Sequence, residues 1–498
     1  MSIIKKQTIL GTIYAYLGVI VGTITQALII PNFLTIEENG LLAMLSSWMF
    51  ILVFVTNLGF TSAGTRFFDK FRDEKSNHKG FLFNGLIFLS VGFLISIILM
   101  VLFKYRIISS SVGDNSLFQN FYYYILPITF FTACFNIFDN YAKGLFDTVT
   151  GNFLSQFLQR FLVLGSILLY VSHVIKFESF ITLWAVAISL PAFFMVIHAH
   201  RLGHFSLRPN NYLWKSDFKK DFISFSGFSI VTGLSSIVIT RLDTLMVYEY
   251  LGLGQTGIYN TCLFFGSVMT MSYNINLKAS SAIVIRALED NDLEKVQQIF
   301  TKSSITQVIF GTLLLGLVWV NIDDLFSFIK PEYAAGKYVL LIIGLAKLYD
   351  LASGINTLIL GYSKYYKLDS LLVITFVGLL FILNHILIPL HGLNGAAIAA
   401  LIATIYYNTV RNILIWKYFQ IHPYSSKLFL VLLLGIAIIL IGQLLPSLSN
   451  LPYGSFLNLM FKSSVLGALY IAVVYFTRIS EDINKVINLV LKKLRLLS

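Results

Sequence analysis

Three basic side chains, Arg160, Arg241 and Lys347, stand inside long apolar stretches of this 498-residue chain, well away from the ends of those stretches. Arg241 belongs to the run TRLDTLMVYEYLGLGQTGIYN at 240–260, together with Asp243. If such a run crosses a membrane, each charge costs several kcal/mol unless something compensates it. Arginine carries a planar fork of donors that matches phosphate oxygens, and lysine a compact point charge. Intramembrane charges face a bundle interior or a watered cavity. The chemistry these residue types offer is capture of an anion.

A structural reading stands beside it. Arg241 and Asp243 are two apart, and Lys347 and Asp350 three apart on one helical face, so each could simply neutralise the other or bridge helices. Arg160 has no acid on its own helix within one turn. Lys143 and Arg411 lie near inner helix ends, from which they can snorkel to the interface. Asp139, Gln156 and Asn274 are polar groups able to line a sugar-compatible cavity, to serve ion coupling, or to hydrogen-bond between helices.

Motifs for other chemistries are weak. GLGQTG at 252–257 matches the G-x-G-x-x-G nucleotide fingerprint, but no βαβ unit precedes it, and it reads as a tight interhelical turn. His198, His200 and His204 cluster beside Arg201 without a carboxylate at helical spacing, which makes a juxtamembrane loop the better reading than a metal site. No P-loop run is present. Cys134 and Cys262 sit inside apolar runs, so neither a disulfide framework nor a cysteine metal site is indicated. No cofactor is expected.

The elements that hold these charges follow from composition. Hydrophobic residues make up 57% of the chain and charged ones 12%, with a mean hydropathy of +0.78, the balance of an integral membrane protein. Apolar stretches of helical length centre near residues 20, 50, 92, 130, 162, 187, 236, 267, 311, 350, 380, 405, 437 and 465. They lack the alternation of a membrane barrel. The expected fold is all-α and polytopic, with about fourteen transmembrane helices, here called spans 1 to 14.

Basic residues test that count. With the N-terminus inside, 27 of the 36 Lys and Arg fall on inner segments, five on outer ones and four within spans. That asymmetry predicts both termini in the cytoplasm. The net charge of +12 then describes a membrane-facing surface rather than a nucleic-acid site, and membrane lipids are its expected neighbours.

A shift of 217 residues lays spans 1–6 on spans 7–12. It carries Asn39-Gly40 onto Thr256-Gly257, Asn57 onto Asn274, Gly144 onto Gly361 and FRDEKSN onto LEDNDLE. A duplicated six-helix unit with parallel repeats explains this. The predicted organisation is a six-helix lobe at 1–200, a cytoplasmic linker at 201–221, a second six-helix lobe at 222–417, spans 13 and 14 at 418–478, and a basic amphipathic tail at 479–498 lying along the inner leaflet.

Asp243 in span 7, Leu251-Gly252 and then Gly257-x-Tyr259 opening span 8 resemble the multidrug/oligosaccharidyl-lipid/polysaccharide flippase superfamily. Within it, ENGLLAMLSSWMFILVFVTNLGFTSAGTRFF at 38–68 resembles the bacterial polysaccharide-biosynthesis flippases that move O-antigen-type repeat units. The resemblance spans essentially the whole chain. It implies two pseudo-symmetric lobes around a central cavity that opens alternately to either side of the bacterial inner membrane, plus two extra helices. It also implies a polyprenyl-pyrophosphate oligosaccharide as cargo, with a polysaccharide polymerase or glycosyltransferases as protein partners.

Two other classes compete. A cation-coupled multidrug antiporter of the same fold would want acids in the N-terminal lobe for protons or sodium, where Asp139 is the one well-placed acid. A membrane-embedded glycosyltransferase or polymerase would need carboxylates on a substantial outer loop, and the turn carrying Glu37 and Glu38 is short.

Overall fold

The structure, a computed structural model, describes residues 3–109, 116–203, 205–448 and 453–493. Every regular element among them is helical, as long apolar runs require where no water can satisfy the backbone. Ten of these helices are each long and apolar enough to cross a membrane. Large apolar side chains point outward, such as Leu102 (70% exposed) and Leu390 (68%), while Phe118, Tyr122 and Phe222 are fully buried. The chain is an integral membrane protein.

Two helices are too long for one crossing. Lys219–Glu289 runs for 71 residues and Tyr366–Phe419 for 54. Straight, they would measure about 110 and 80 Å, against a hydrocarbon core of roughly 30 Å. Each is broken once by a glycine, Gly252 at φ 82° and Gly392 at φ 59°, in backbone that L side chains resist. Each therefore supplies two crossings. GLGQTG marks such a break rather than a strand-to-helix turn. With the interrupted pair Lys337–Ala352 and Asn356–Gly361, the helices are consistent with fourteen crossings.

The described residues form two compact units, Met1–Gly257 and Ile258–Ser498. In the first, span 2 opens with a capping box: Thr35 accepts from the Glu38 backbone, and the Glu38 carboxylate accepts from the Thr35 backbone at 2.8 Å. The other Glu38 oxygen accepts from the Tyr170 hydroxyl at 2.8 Å. This fixes the entry of span 2 next to a close contact. A Cβ on Gly40 would stand 2.0 Å from the Leu253 carbonyl oxygen, and one on Gly257 would stand 2.0 Å from the Ile36 carbonyl oxygen. Ile36 and Leu253 are 217 residues apart, as are Gly40 and Gly257. Residues separated by that offset thus meet each other, and only glycine lets the two backbones approach so closely.

Two π-helical turns interrupt the first unit, Ile24–Ile29 in span 1 and Phe153–Leu158 in span 5. Such turns widen a helix locally and recur at functional positions. In the second unit the Tyr470 hydroxyl ties span 14 to span 9 by donating to the Ile309 carbonyl at 3.0 Å. The C-terminal helix Glu481–Lys493 places Ile483 and Ile487 toward the spans and leaves Val486 (60%) and Leu489 (65%) exposed. Leu494 lies outside the described residues.

Candidate functional site

Arg160 lies two residues past the π turn of span 5. Its Nη1 donates to the Gly18 carbonyl of span 1 at 2.8 Å, and its Nη2 to Gln156 Oε1 at 3.3 Å. Both acceptors are neutral, so the guanidinium is oriented without losing its charge. Gln156 serves as part of that clamp.

Arg241 lies over the Phe50 ring, 4.7 Å from its centroid, a cation–π contact that likewise leaves the charge intact. Two residues along a helix are about 200° apart, so Asp243 occupies a different face, buried at 8% exposure. Lys347 is half-buried in span 10. Asp350, on its own helical face, accepts from Asn408 Nδ2 at 3.0 Å. Among the described residues, Arg160, Arg241 and Lys347 form no ion pair.

The acids are engaged differently. Asp139 is buried and bound by Lys143 Nζ at 2.5 Å. Arg411 does not snorkel: it is 2% exposed and points inward because an acid on the neighbouring span receives it. Its Nε and Nη2 both reach Asp369 Oδ1, at 2.8 and 2.7 Å. Nη1 donates to Thr357 Oγ1 at 2.7 Å, and Nη2 donates to the Tyr407 hydroxyl. Beside this pair, Asn356 donates to Asn408 and Asn412, and Asn412 donates to the Tyr424 hydroxyl. Asn274 is exposed.

Composition and spacing do not mark Asp369, Asn408 and Asn412 as members of the Arg411 network. The signal was the turn: Asp369 lies 23 residues before Gly392 and Arg411 19 after it, which sets them at similar depth on adjacent antiparallel spans.

Where the C-terminal ends of spans 4 and 6 meet the start of span 5, His198 Nε2 donates to Asp147 Oδ2 at 2.6 Å. Burial pushes the Asp147 carboxyl up. The bonds from His198 and from the backbone and hydroxyl of Thr150 outweigh that, and hold it below the ordinary carboxylate range. His200 packs edge-on to Phe205, and His204 lies outside the described residues. Among the described residues, no three His, Cys, Asp or Glu side chains converge on a metal-sized point.

Residues 5–283 match the family model described as polysaccharide biosynthesis protein. No curated protein matches the chain in sequence. Among solved structures it resembles the lipid II flippase MurJ in an inward closed conformation, with TM-score 0.73 and 14% identity over 95% of this chain and 100% of that one. A multidrug resistance MATE family transporter of the MOP superfamily, inward-facing, matches with TM-score 0.64 and 13% identity over 80% of this chain and 94% of that one. A MOP superfamily transporter from Pyrococcus furiosus, for which reversed polarity of the binding pocket is held to suggest a different function, matches with TM-score 0.55 and 14% identity, over 84% and 96%.

Proposed function

Because this chain belongs to the polysaccharide biosynthesis protein family, we propose that it flips a lipid-linked oligosaccharide, a polyprenyl-pyrophosphate repeat unit of an O-antigen or other exopolysaccharide, from the cytoplasmic to the outer leaflet of a bacterial inner membrane. One observation carries the reading: the ion balance within the spans. Among the described residues Arg160, Arg241 and Lys347 form no ion pair, Asp139 is held by Lys143 and Asp369 by Arg411, and with Asp243 and Asp350 counted these spans still carry a net positive charge. Spans charged in this way favour an anionic head over a cationic drug. The lobes at 1–200 and 222–417 are the bodies whose alternating access would carry the head across, with proton or sodium as candidate coupling ion.

Orientation is tested separately. Reporter fusions within 70–79, within 202–219 and at the C-terminus should read cytoplasmic, and those at 37–38 and 252–257 external. An external signal from 202–219 would break the assigned orientation.

For cargo capture, charge-assisted bonds contribute about 1.5 to 3 kcal/mol each. Arg160→Ala should therefore slow flipping by roughly tenfold or more if capture limits the rate. Arg160→Lys should recover part, since the charge returns without the fork. Flipping of lipid-linked oligosaccharide in membrane vesicles, scored against membrane levels of each variant, measures this. Efflux of a cationic dye in the same vesicles separates the antiporter class. Normal glycan flipping by a stably inserted Arg160→Gln, Arg241→Gln, Lys347→Gln triple variant would sink the proposal.

A further inference from the structure

A half-open chamber of about 390 Å³ lies inside the second unit, between spans 8, 9 and 14 and the C-terminal helix Glu481–Lys493. Its walls are mostly apolar: Leu313 from span 9, Val474 from span 14, Ile487 from the C-terminal helix. Thr306 and Gln307 give it a polar edge. The Thr306 hydroxyl meets Ser480 Oγ at 3.4 Å, at the start of that helix, so the polar edge lies beside the C-terminal end of span 14.

We propose that this chamber binds one acyl chain of an anionic phospholipid, whose phosphate rests on the lysines around the C-terminal helix. Water suits an apolar chamber poorly, because each water needs two to four polar partners. An empty one forfeits the contacts of its lining. Three of the four walls are membrane spans, so hydrocarbon chains are the apolar material at hand. The volume falls in the range of single-ligand sites, which suits one chain.

The C-terminal helix gives a second, independent reason. Its outward strip sets Val486 and Leu489, both more than half exposed, between Lys485 and Lys492. That pattern belongs to a helix lying in the plane of a leaflet. Around it stand Lys302, Arg478, Lys485 and Lys492 against Glu481 and Asp482, a net positive rim. The pairing of Lys302 with Glu481 is long, 3.9 Å, and both side chains are exposed, so it is readily exchanged for a phosphate. Thr306 and Gln307 then stand at the depth of the ester groups.

The proposal is independent of the cargo, and its test needs no transport. The delipidated full-length protein is titrated in detergent with dioleoyl phosphatidylglycerol and, separately, dioleoyl phosphatidylcholine, with bound lipid counted by native mass spectrometry. One phosphatidylglycerol per chain is expected, held about tenfold more tightly than phosphatidylcholine. Lys302→Gln with Lys485→Gln should remove that preference and leave phosphatidylcholine binding unchanged. Ile487→Trp, which fills the chamber, should weaken both lipids by at least about tenfold. Val474→Phe fills it from the opposite wall, and melting temperatures identify any variant that fails to fold. Wild-type lipid counts in both filled variants would overturn the proposal. So would displacement of phosphatidylglycerol by equimolar polyprenyl phosphate, which would assign the chamber to an isoprenoid tail instead.

Discussion

Arg411→Ala should cost the protein about 3–5 kcal/mol of stability, the usual penalty for stranding one half of a buried ion pair. The loss is large because Arg411 is 2% exposed and its donors reach four side chains, Asp369, Thr357, Tyr407 and Asn356. Removing it leaves the Asp369 carboxylate, with a side chain only 16% exposed, against apolar and hydroxyl neighbours. Asp369→Ala should cost a similar amount by stranding the guanidinium. The double change Arg411→Leu with Asp369→Leu should regain much of it, since a pair of apolar side chains carries no desolvation penalty. Thermal unfolding in detergent and steady-state membrane levels read this directly. A single variant as stable as wild type would mean that the pair contributes little and that Arg411 is free to serve the cargo.

Alanine at Gly40 or Gly257 is the second large effect. A methyl group 2.0 Å from a carbonyl oxygen cannot be accommodated by rotating a side chain, because both offending atoms belong to backbone. The helices must separate by more than an ångström, which also breaks the 2.9 Å bond from Asn39 Nδ2 to the Gly257 carbonyl. Overpacking of this kind typically costs about 1–3 kcal/mol, and more where backbone must move. Gly165→Ala provides the opposite sign: nothing stands within 4 Å of its Cβ position, and alanine is the better helix former by about 1 kcal/mol. Melting temperatures should therefore fall for Gly40→Ala and Gly257→Ala and hold or rise for Gly165→Ala. Equal values for all three would show the contact to be loose.

What could be read in advance depended on whether a feature has a letter in the sequence. Apolar runs do, which is why the helical class and the spans were legible, and the 217-residue offset led to residues that meet in space. The lone character of Arg160 was visible too, because no acid lies within a turn of it. Its real partner, the Gly18 carbonyl, was invisible, since every residue owns a carbonyl and composition cannot say which one faces a guanidinium. The burial of Arg411 is hidden from the sequence for a related reason. Depth along its own span suggested escape to the interface, while the acid that retains it sits 42 positions away on a neighbouring span. The Lys347 and Asp350 spacing invited a pair, but an amide from span 12 took the carboxylate first.

The contact of residues 36–40 with 253–257 bears on the duplication that the 217-residue offset suggests. In a dimer of separate six-helix subunits such a contact would be isologous, each residue touching its own copy, and every mutation would strike both sides together. Once the two halves share one gene, each codon changes alone. The present contact shows the result. Asn39 crosses to the Gly257 carbonyl, while its counterpart Thr256 turns back to the Gly252 carbonyl of its own helix at 2.8 Å. A lopsided bond of this kind is out of reach for identical subunits obeying strict symmetry, and open to a fused chain through a single substitution.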